Sequence, residues 1–189
     1  MSRKKVIVVT DGDDTAYKAL KDASQDLHLY LLRESKGNPT PLNGRQLVDA
    51  VLKSPHEPVV VMVDDRGESG NGPGERALEV LMNSSELRVL GVVAVAANTR
   101  PVDGVHIDSS VNAQGKMIRQ AVDKEGRNQS SSILYGDTVD VLGDDEGRVP
   151  IVGLGDVGKM HGLDSVDKGV PATKRALQEI LARSGYDAD

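Results

Sequence analysis

A short aliphatic strand that runs straight into paired aspartates, with a helix behind them, occurs twice in this chain. The repetition restricts the fold more than any other feature. The first copy is Val6-Ile7-Val8-Val9-Thr10 followed by Asp11-Gly12-Asp13-Asp14. The second is Val59-Val60-Val61-Met62-Val63 followed by Asp64-Asp65 and a glycine-rich loop from Gly67 to Gly74. Nearly all-apolar, β-branched strands of this kind are covered on both faces. If both are parallel members of one sheet, their carboxyl ends share an edge, and open α/β sheets bind ligands at that edge. Carboxylates gathered there repel one another unless a cation offsets the charge. Asp11, Asp13, Asp64 and Asp65 are therefore the candidate metal ligands, with Ca²⁺ or Mg²⁺ as the cation.

The chain between and after these copies keeps the alternation. Ala16, Leu20 and Ala23 fall on one helical face, with Asp13 or Asp14 placed to cap it. Leu27 to Leu32 is a second strand candidate. Asn43 caps a helix carrying Leu47, Val48, Val51 and Leu52, with Gln46 at the third position to complete a capping box. Ala77, Leu78, Leu81 and Met82 mark a third helix, and Val89 to Ala96 a further strand. Alternation of this sort predicts a Rossmann-like, mostly parallel sheet flanked by helices.

The second half reads differently. Asn112-Ala113-Gln114-Gly115 and Asp123-Lys124-Glu125-Gly126 are turn signals. Thr138–Leu142 and Val149–Val152 read as the arms of a hairpin around Gly143 to Arg148. Asp156 follows the second arm, whose direction is open, so it is not counted with the acidic edge. Pro171 opens a last helix with Ala176, Leu177, Ile180 and Leu181 on its apolar face, and Gly185 lies past its end. The expectation is a single α/β domain over residues 1–189 with a β-rich insertion at about 99–148.

Composition removes several function classes. Across 189 residues there is no Cys, Phe or Trp and there are four Tyr, so the core is aliphatic and thiolate metal sites are excluded. A net charge of −6 without stacking aromatics argues against nucleic acid as a partner. No apolar run nears the roughly 18 residues of a membrane span. Arg3, Lys4 and Lys5 precede an apolar stretch that meets Asp11 too soon for a signal peptide, so a chain without an export signal is expected.

Each catalytic template lacks a part. Ile7 to Thr15 comes close to the hhhhDxDxT motif of haloacid-dehalogenase-like phosphotransferases, in which the first Asp attacks phosphorus and the second handles a proton. The helix follows too closely for that family's flap, and Gly155-Asp156 has no second Asp nearby. The plain alternative is a helix cap. In the Gly67–Gly74 loop, Gly67, Gly70, Gly72 and Gly74 allow backbone amides to approach an anion; the alternative is a mobile lid. Gly153, Gly155, Gly158 and Lys159 match GxGxxG and the first seven positions of a phosphate loop, but Met160 stands where Ser or Thr would reach magnesium. A glycine-rich anion contact remains. The histidines have no paired ligand spacing.

Taken together, several segments resemble the soluble stage V sporulation protein AE family. They are Val8-Val9-Thr10-Asp11-Gly12-Asp13, Ser35-Lys36-Gly37-Asn38-Pro39-Thr40, Pro55-His56-Glu57-Pro58-Val59-Val60, Asp64-Asp65-Arg66-Gly67, Gly136-Asp137-Thr138-Val139, Gly153–Met160, Gly169–Lys174 and Arg183–Tyr186. Little is recognisable between about Arg100 and Ser132. The resemblance implies a protein of the forespore or its cytoplasm, soluble or peripheral to the inner spore membrane. It implies work beside other products of the spore transport operon, in moving calcium dipicolinate during sporulation and germination. It supplies no catalytic residues. A dicarboxylate ligand bridged to the acidic edge by a cation is compatible with it, and binding is expected rather than catalysis. The alternative is a Mg²⁺-dependent phosphohydrolase using Asp11 and Asp13.

Overall fold

The computed structural model describes residues 2–68, 70–98 and 102–186. In chain order its first half runs β1 (Lys4–Val9), α1 (Asp14–Asp26), β2 (Tyr30–Leu31), α2 (Gly44–Leu52), β3 (Val59–Met62), α3 (Pro73–Asn83) and β4 (Leu87–Val95). The second half runs β5 (Val105–His106), β6 (Ser109–Val111), β7 (Met117–Ile118), β8 (Ile133–Leu134), β9 (Ile151–Leu154) and α4 (Pro171–Arg183). Short 3₁₀ turns occupy Arg33–Ser35, Asp140–Asp145 and Val166–Lys168.

The side chains of Val6, Ile7, Val8 and Val9 are fully buried, which requires cover on both faces of β1. That cover exists. The main sheet has the order β2-β3-β1-β4-β9-β6-β7, with every neighbouring pair parallel except β6 and β7. Alternate residues of β1 divide between two cores. Val6 and Val8 meet α2 and α3 through Leu47, Val51, Leu78 and Leu81. Ile7 and Val9 meet α1 and α4 through Ala16, Leu20, Leu177 and Ile180. The result is a three-layer α/β sandwich with β1 central. A side chain at Gly91 of β4 would place its Cβ 2.8 Å from Ile180 Cγ2, so the absent side chain is what lets α4 lie close on the sheet.

Helix boundaries follow local chemistry. Asp13 caps α1 by accepting the Ala16 N–H at 2.8 Å. Asn43 and Gln46 form the reciprocal capping box of α2 at 2.9 Å in each direction. Pro73 opens α3 and Pro171 opens α4, where the missing N–H costs nothing.

Two sequence expectations are corrected. Thr138–Leu142 and Val149–Val152 do not form a hairpin. Asp140–Asp145 is a 3₁₀ turn that buries Leu142, and the strand after it, β9, inserts in parallel between β4 and β6. The turn-rich stretch between them suited a hairpin locally, but the apolar β9 gains more by burial on both faces than any two-stranded ribbon offers. The extended candidate at Leu27 to Leu32 shrinks to Tyr30–Leu31, because α1 continues to Asp26 and His28 then turns with φ 56°. Within 102–148, β6 and β7 extend the main sheet, while β5 and β8 form a small antiparallel pair.

Candidate functional site

The carboxyl ends of β1, β3, β4 and β9 open into a cleft of about 160 Å³. Its lining includes Thr10, Asp11 and Asp13 after β1, Asp64 after β3, Ala96 and Ala97 after β4, Asp156 after β9, and Asp137 from the chain beyond β8. Gly67 and Asn38 complete the rim. The parallel direction of β9 corrects the sequence expectation for Asp156, which does join the acidic edge.

Backbone amides hold most of these carboxylates in place. Asp64 accepts the Gly12 N–H through Oδ2 and the Arg66 N–H through Oδ1, each at 2.9 Å. Thr40 fixes the Asp64 backbone, accepting its N–H at 2.7 Å. Asp137 accepts the Gly67 N–H at 2.5 Å. Asp11 accepts the Asp13 N–H at 3.3 Å. Asp13, besides capping α1, accepts from the Lys159 ammonium at 2.8 Å.

Burial and crowding raise the proton affinity of this group. Asp11 is held well above the ordinary carboxylate range, first by burial and then by the charges of Asp13 and Asp64. Asp64 is pushed up to about 6, chiefly by burial, with its amide partners opposing and Asp137 adding. Burial also raises Asp156, although Lys159 and Lys124 pull it down. Burial works to lower the Lys159 ammonium, but the hydrogen bond and charge of Asp13, with Asp156 and Asp11, outweigh it and leave it raised. The cleft thus carries five carboxyl groups, one of them ion-paired with Lys159. Because burial raises the proton affinity of Asp11, Asp64 and Asp156, protons compete with a cation for these oxygens increasingly as pH falls.

The other candidates lie elsewhere. Asp65 is 1% exposed and turned away from the cleft lining. Its two oxygens accept the Gly74 and Glu75 N–H groups at 2.6 and 3.0 Å, so an internal carboxylate occupies the amino end of α3. Gly72 and Gly74 sit where a Cβ would fall 2.2 Å from Asp65 Oδ1 and 2.7 Å from the Asp64 backbone. Gly70 has open space around it. Gly153 and Gly155 pack against Ser110 and against the Lys124–Gly126 backbone, and Gly158 packs against Thr15 and Ala19 of α1. Of the three, Gly158 has a left-handed φ of 76°. Their sequence match to a phosphate loop corresponds here to close backbone packing, and no helix begins at Met160. Among the described residues, no group of three or more His, Asp or Glu side chains is arranged to hold a metal ion directly.

Sequence reasoning missed Asp137, Asp156 and Glu75. The first two depend on strand directions that no local pattern reveals. Glu75 is 6% exposed, and burial, with Asp65 and Asp140, pushes it up to about 7. Its place near the start of α3 was visible in the sequence; its burial and its nearness to Asp65 were not.

A doubly wound, mostly parallel sheet with an acidic cleft at its carboxyl edge defines an α/β protein, and among the described residues no helix is long and apolar enough to cross a membrane. The family model of stage V sporulation protein AE1 matches residues 5–184, and the chain belongs to that family. The match runs through the stretch around Arg100 to Ser132 that had seemed distinct. No curated protein and no solved structure matches the chain. Membership fits a role in sporulation.

Proposed function

We propose that this chain is a component of the spore machinery that moves calcium and dipicolinate, acting by binding a cation–dicarboxylate pair at the carboxyl edge of its sheet. It works in the forespore, peripheral to the inner spore membrane and beside membrane-embedded products of the same operon. The observation that carries this reading is the convergence of Asp11, Asp13, Asp64, Asp137 and Asp156 on one cleft in a chain of a sporulation family. Calcium favours several oxygen ligands in flexible geometry. Carboxylates that do not close a metal cage alone leave room for the second ligand's oxygens to complete the shell. Here calcium is cargo rather than a resident cofactor.

The test is thermal melting of the purified protein with Ca²⁺, dipicolinate, or both, in millimolar amounts. A rise in Tm of several degrees, larger with both together and absent in Asp64→Asn, is the expected result. No shift with either ligand removes the reading. The phosphohydrolase alternative is tested in parallel: Mg²⁺-dependent turnover of a generic phosphate ester, lost in Asp11→Asn, establishes it instead.

A further inference from the structure

The acidic cleft is small, about 160 Å³, which is room for a cation and its waters but not for an organic ion beside it. A second cavity, of about 290 Å³, adjoins it. The two share Ala96 and Ala97, the residues that follow β4. The other walls of the second cavity come from the chain between β7 and β9, and backbone bonds clamp them to the sheet. The Ala97 N–H donates to the Tyr135 carbonyl at 2.9 Å, and the Asp156 N–H donates to the Lys124 carbonyl at 2.7 Å. Ala121 bonds Ser131 and Gln129 across the outer wall, at 2.8 Å each. Gly155 admits Lys124 so close to the end of β9: a Cβ there would stand 2.7 Å from the Lys124 carbonyl oxygen. The cavity is therefore preformed between fixed segments, as ligand pockets usually are.

Its lining divides by chemistry. Val122, Ile133 and Tyr135 supply apolar surface, and Lys124 supplies a positive charge. Asp123, the acid of the lining, is spent. It accepts the Glu125 and Arg127 N–H groups at 3.0 Å each and the Arg127 Nε at 2.8 Å. The Lys124 ammonium lies 3.9 Å from Glu125, at the outer limit of an ion pair, and Glu125 in turn accepts from Arg127 at 3.2 Å. Lys124 also lowers the proton affinity of Asp156, which puts its charge within electrostatic reach of the acidic cleft.

We propose that this cavity seats the organic ligand of the cleft's cation, and that the ligand is a small aromatic carboxylate. A carboxylate that places one oxygen on a cation keeps the other free, and Lys124 meets that oxygen with a charge-assisted hydrogen bond. The flat ring lies against Val122, Ile133 and Tyr135, where ring contact adds to the apolar area buried. A phosphate or a bare cation leaves that surface unused. The proposal deepens the binding reading given above and rests on it for the cation alone.

Backbone-amide NMR of the whole chain tests the two cavities separately, titrated with Ca²⁺ first and dipicolinate second. Ca²⁺ is expected to shift Gly12 and Arg66, whose amides bond Asp64. Dipicolinate then shifts Ala97, Val122, Lys124 and Ser131 saturably. Lys124→Gln keeps the backbone bond to Asp156; it weakens dipicolinate about tenfold and does not weaken the calcium shifts. Succinate, with two carboxylates and no ring, binds about tenfold more weakly than dipicolinate. Calcium shifts with no response of the cavity amides to dipicolinate overturn this proposal and leave the cation reading standing. Undiminished dipicolinate binding in Lys124→Gln, or succinate binding as tight as dipicolinate, does the same. Cavity shifts with dipicolinate while Gly12 and Arg66 ignore Ca²⁺ support the aromatic-carboxylate seat and remove the cation reading. No shift with either ligand removes both.

Discussion

The Lys159 ammonium lies 2.8 Å from Oδ2 of Asp13, an ion pair between groups 146 positions apart in sequence that ties the turn after β9 to the start of α1. It pairs with a carboxylate of the acidic cleft, and Asp156 and Asp11 add to its raised proton affinity. Lys159 thus holds part of the place that a bound cation would take.

Replacing it makes that competition visible. Lys159→Met is expected to cost about 1 kcal/mol of stability, because the pair is only partly buried and still screened by solvent. If the cleft binds Ca²⁺, the same variant binds it more tightly, since a positive neighbour has been removed while every carboxylate remains. Calcium-dependent melting of the two proteins side by side checks this; an equal or smaller calcium shift in the variant counts against cation binding there.

Stability should fall as pH rises. Asp64 and Glu75 titrate near 6 and 7 in the folded chain, against roughly 4 for exposed carboxyls in the unfolded one. The folded state therefore holds more protons between these limits, and the stability they contribute is complete below about pH 4 and is lost as pH rises through 6 and 7. The expected outcome is a higher Tm at pH 5 than at pH 8. Asp64→Asn removes one step of this dependence and raises the Tm at pH 8. A calcium-induced shift, where present, grows from pH 5 to pH 8 because protons and cation compete for the same oxygens.

How much of this was legible beforehand depended on the range of the interactions. The caps at Asp13 and Asn43 follow from residues three positions apart, and the sequence carries them completely. The buried strands β1, β3 and β4 are long or apolar enough that burial alone defines them. By contrast β6 is Ser109-Ser110-Val111, a segment with no strand signature, extended because β9 on one side and β7 on the other supply its hydrogen bonds. The direction of β9 is likewise fixed only by its partners in the sheet, β6 and, more than fifty residues earlier, β4. Since that direction decides whether Asp156 reaches the edge, the cleft was half readable: Asp11, Asp13 and Asp64 from the strand-end pattern, Asp137 and Asp156 only from the assembled sheet. Asp65 shows the converse failure. A paired aspartate after a strand looks like two ligands, yet alternation sends the second to the helix it caps.

That capping role has a measurable size. Asp65→Ala leaves the Gly74 and Glu75 amides without their acceptor and should lower stability by about 1–2 kcal/mol. Asp65→Asn keeps one acceptor oxygen and should cost less. It also removes a charge beside Glu75, which then titrates lower. Urea denaturation midpoints of the two variants give the order; equal losses would assign the effect to charge rather than to the cap.

The cleft also depends on a position with no side chain. A Cβ at Gly12 would stand 2.1 Å from the Gly37 carbonyl oxygen and 2.9 Å from the Asp64 Cβ. The carbonyl cannot simply withdraw, because the Gly37 N–H donates to the Gly12 carbonyl at 2.9 Å and holds the two loops together. Nor can Asp64 move freely, since its Oδ2 accepts the Gly12 N–H and Thr40 fixes its backbone. Gly12→Ala should therefore cost about 3 kcal/mol, at the upper end for an overpacked site, and displace Asp64 from the cleft. Gly143→Ala is the control, for a Cβ there meets nothing within 4 Å. Melting both variants with and without Ca²⁺ separates the effects: the control keeps its stability and any calcium response, whereas Gly12→Ala loses stability and, if Asp64 is a ligand, the calcium response with it.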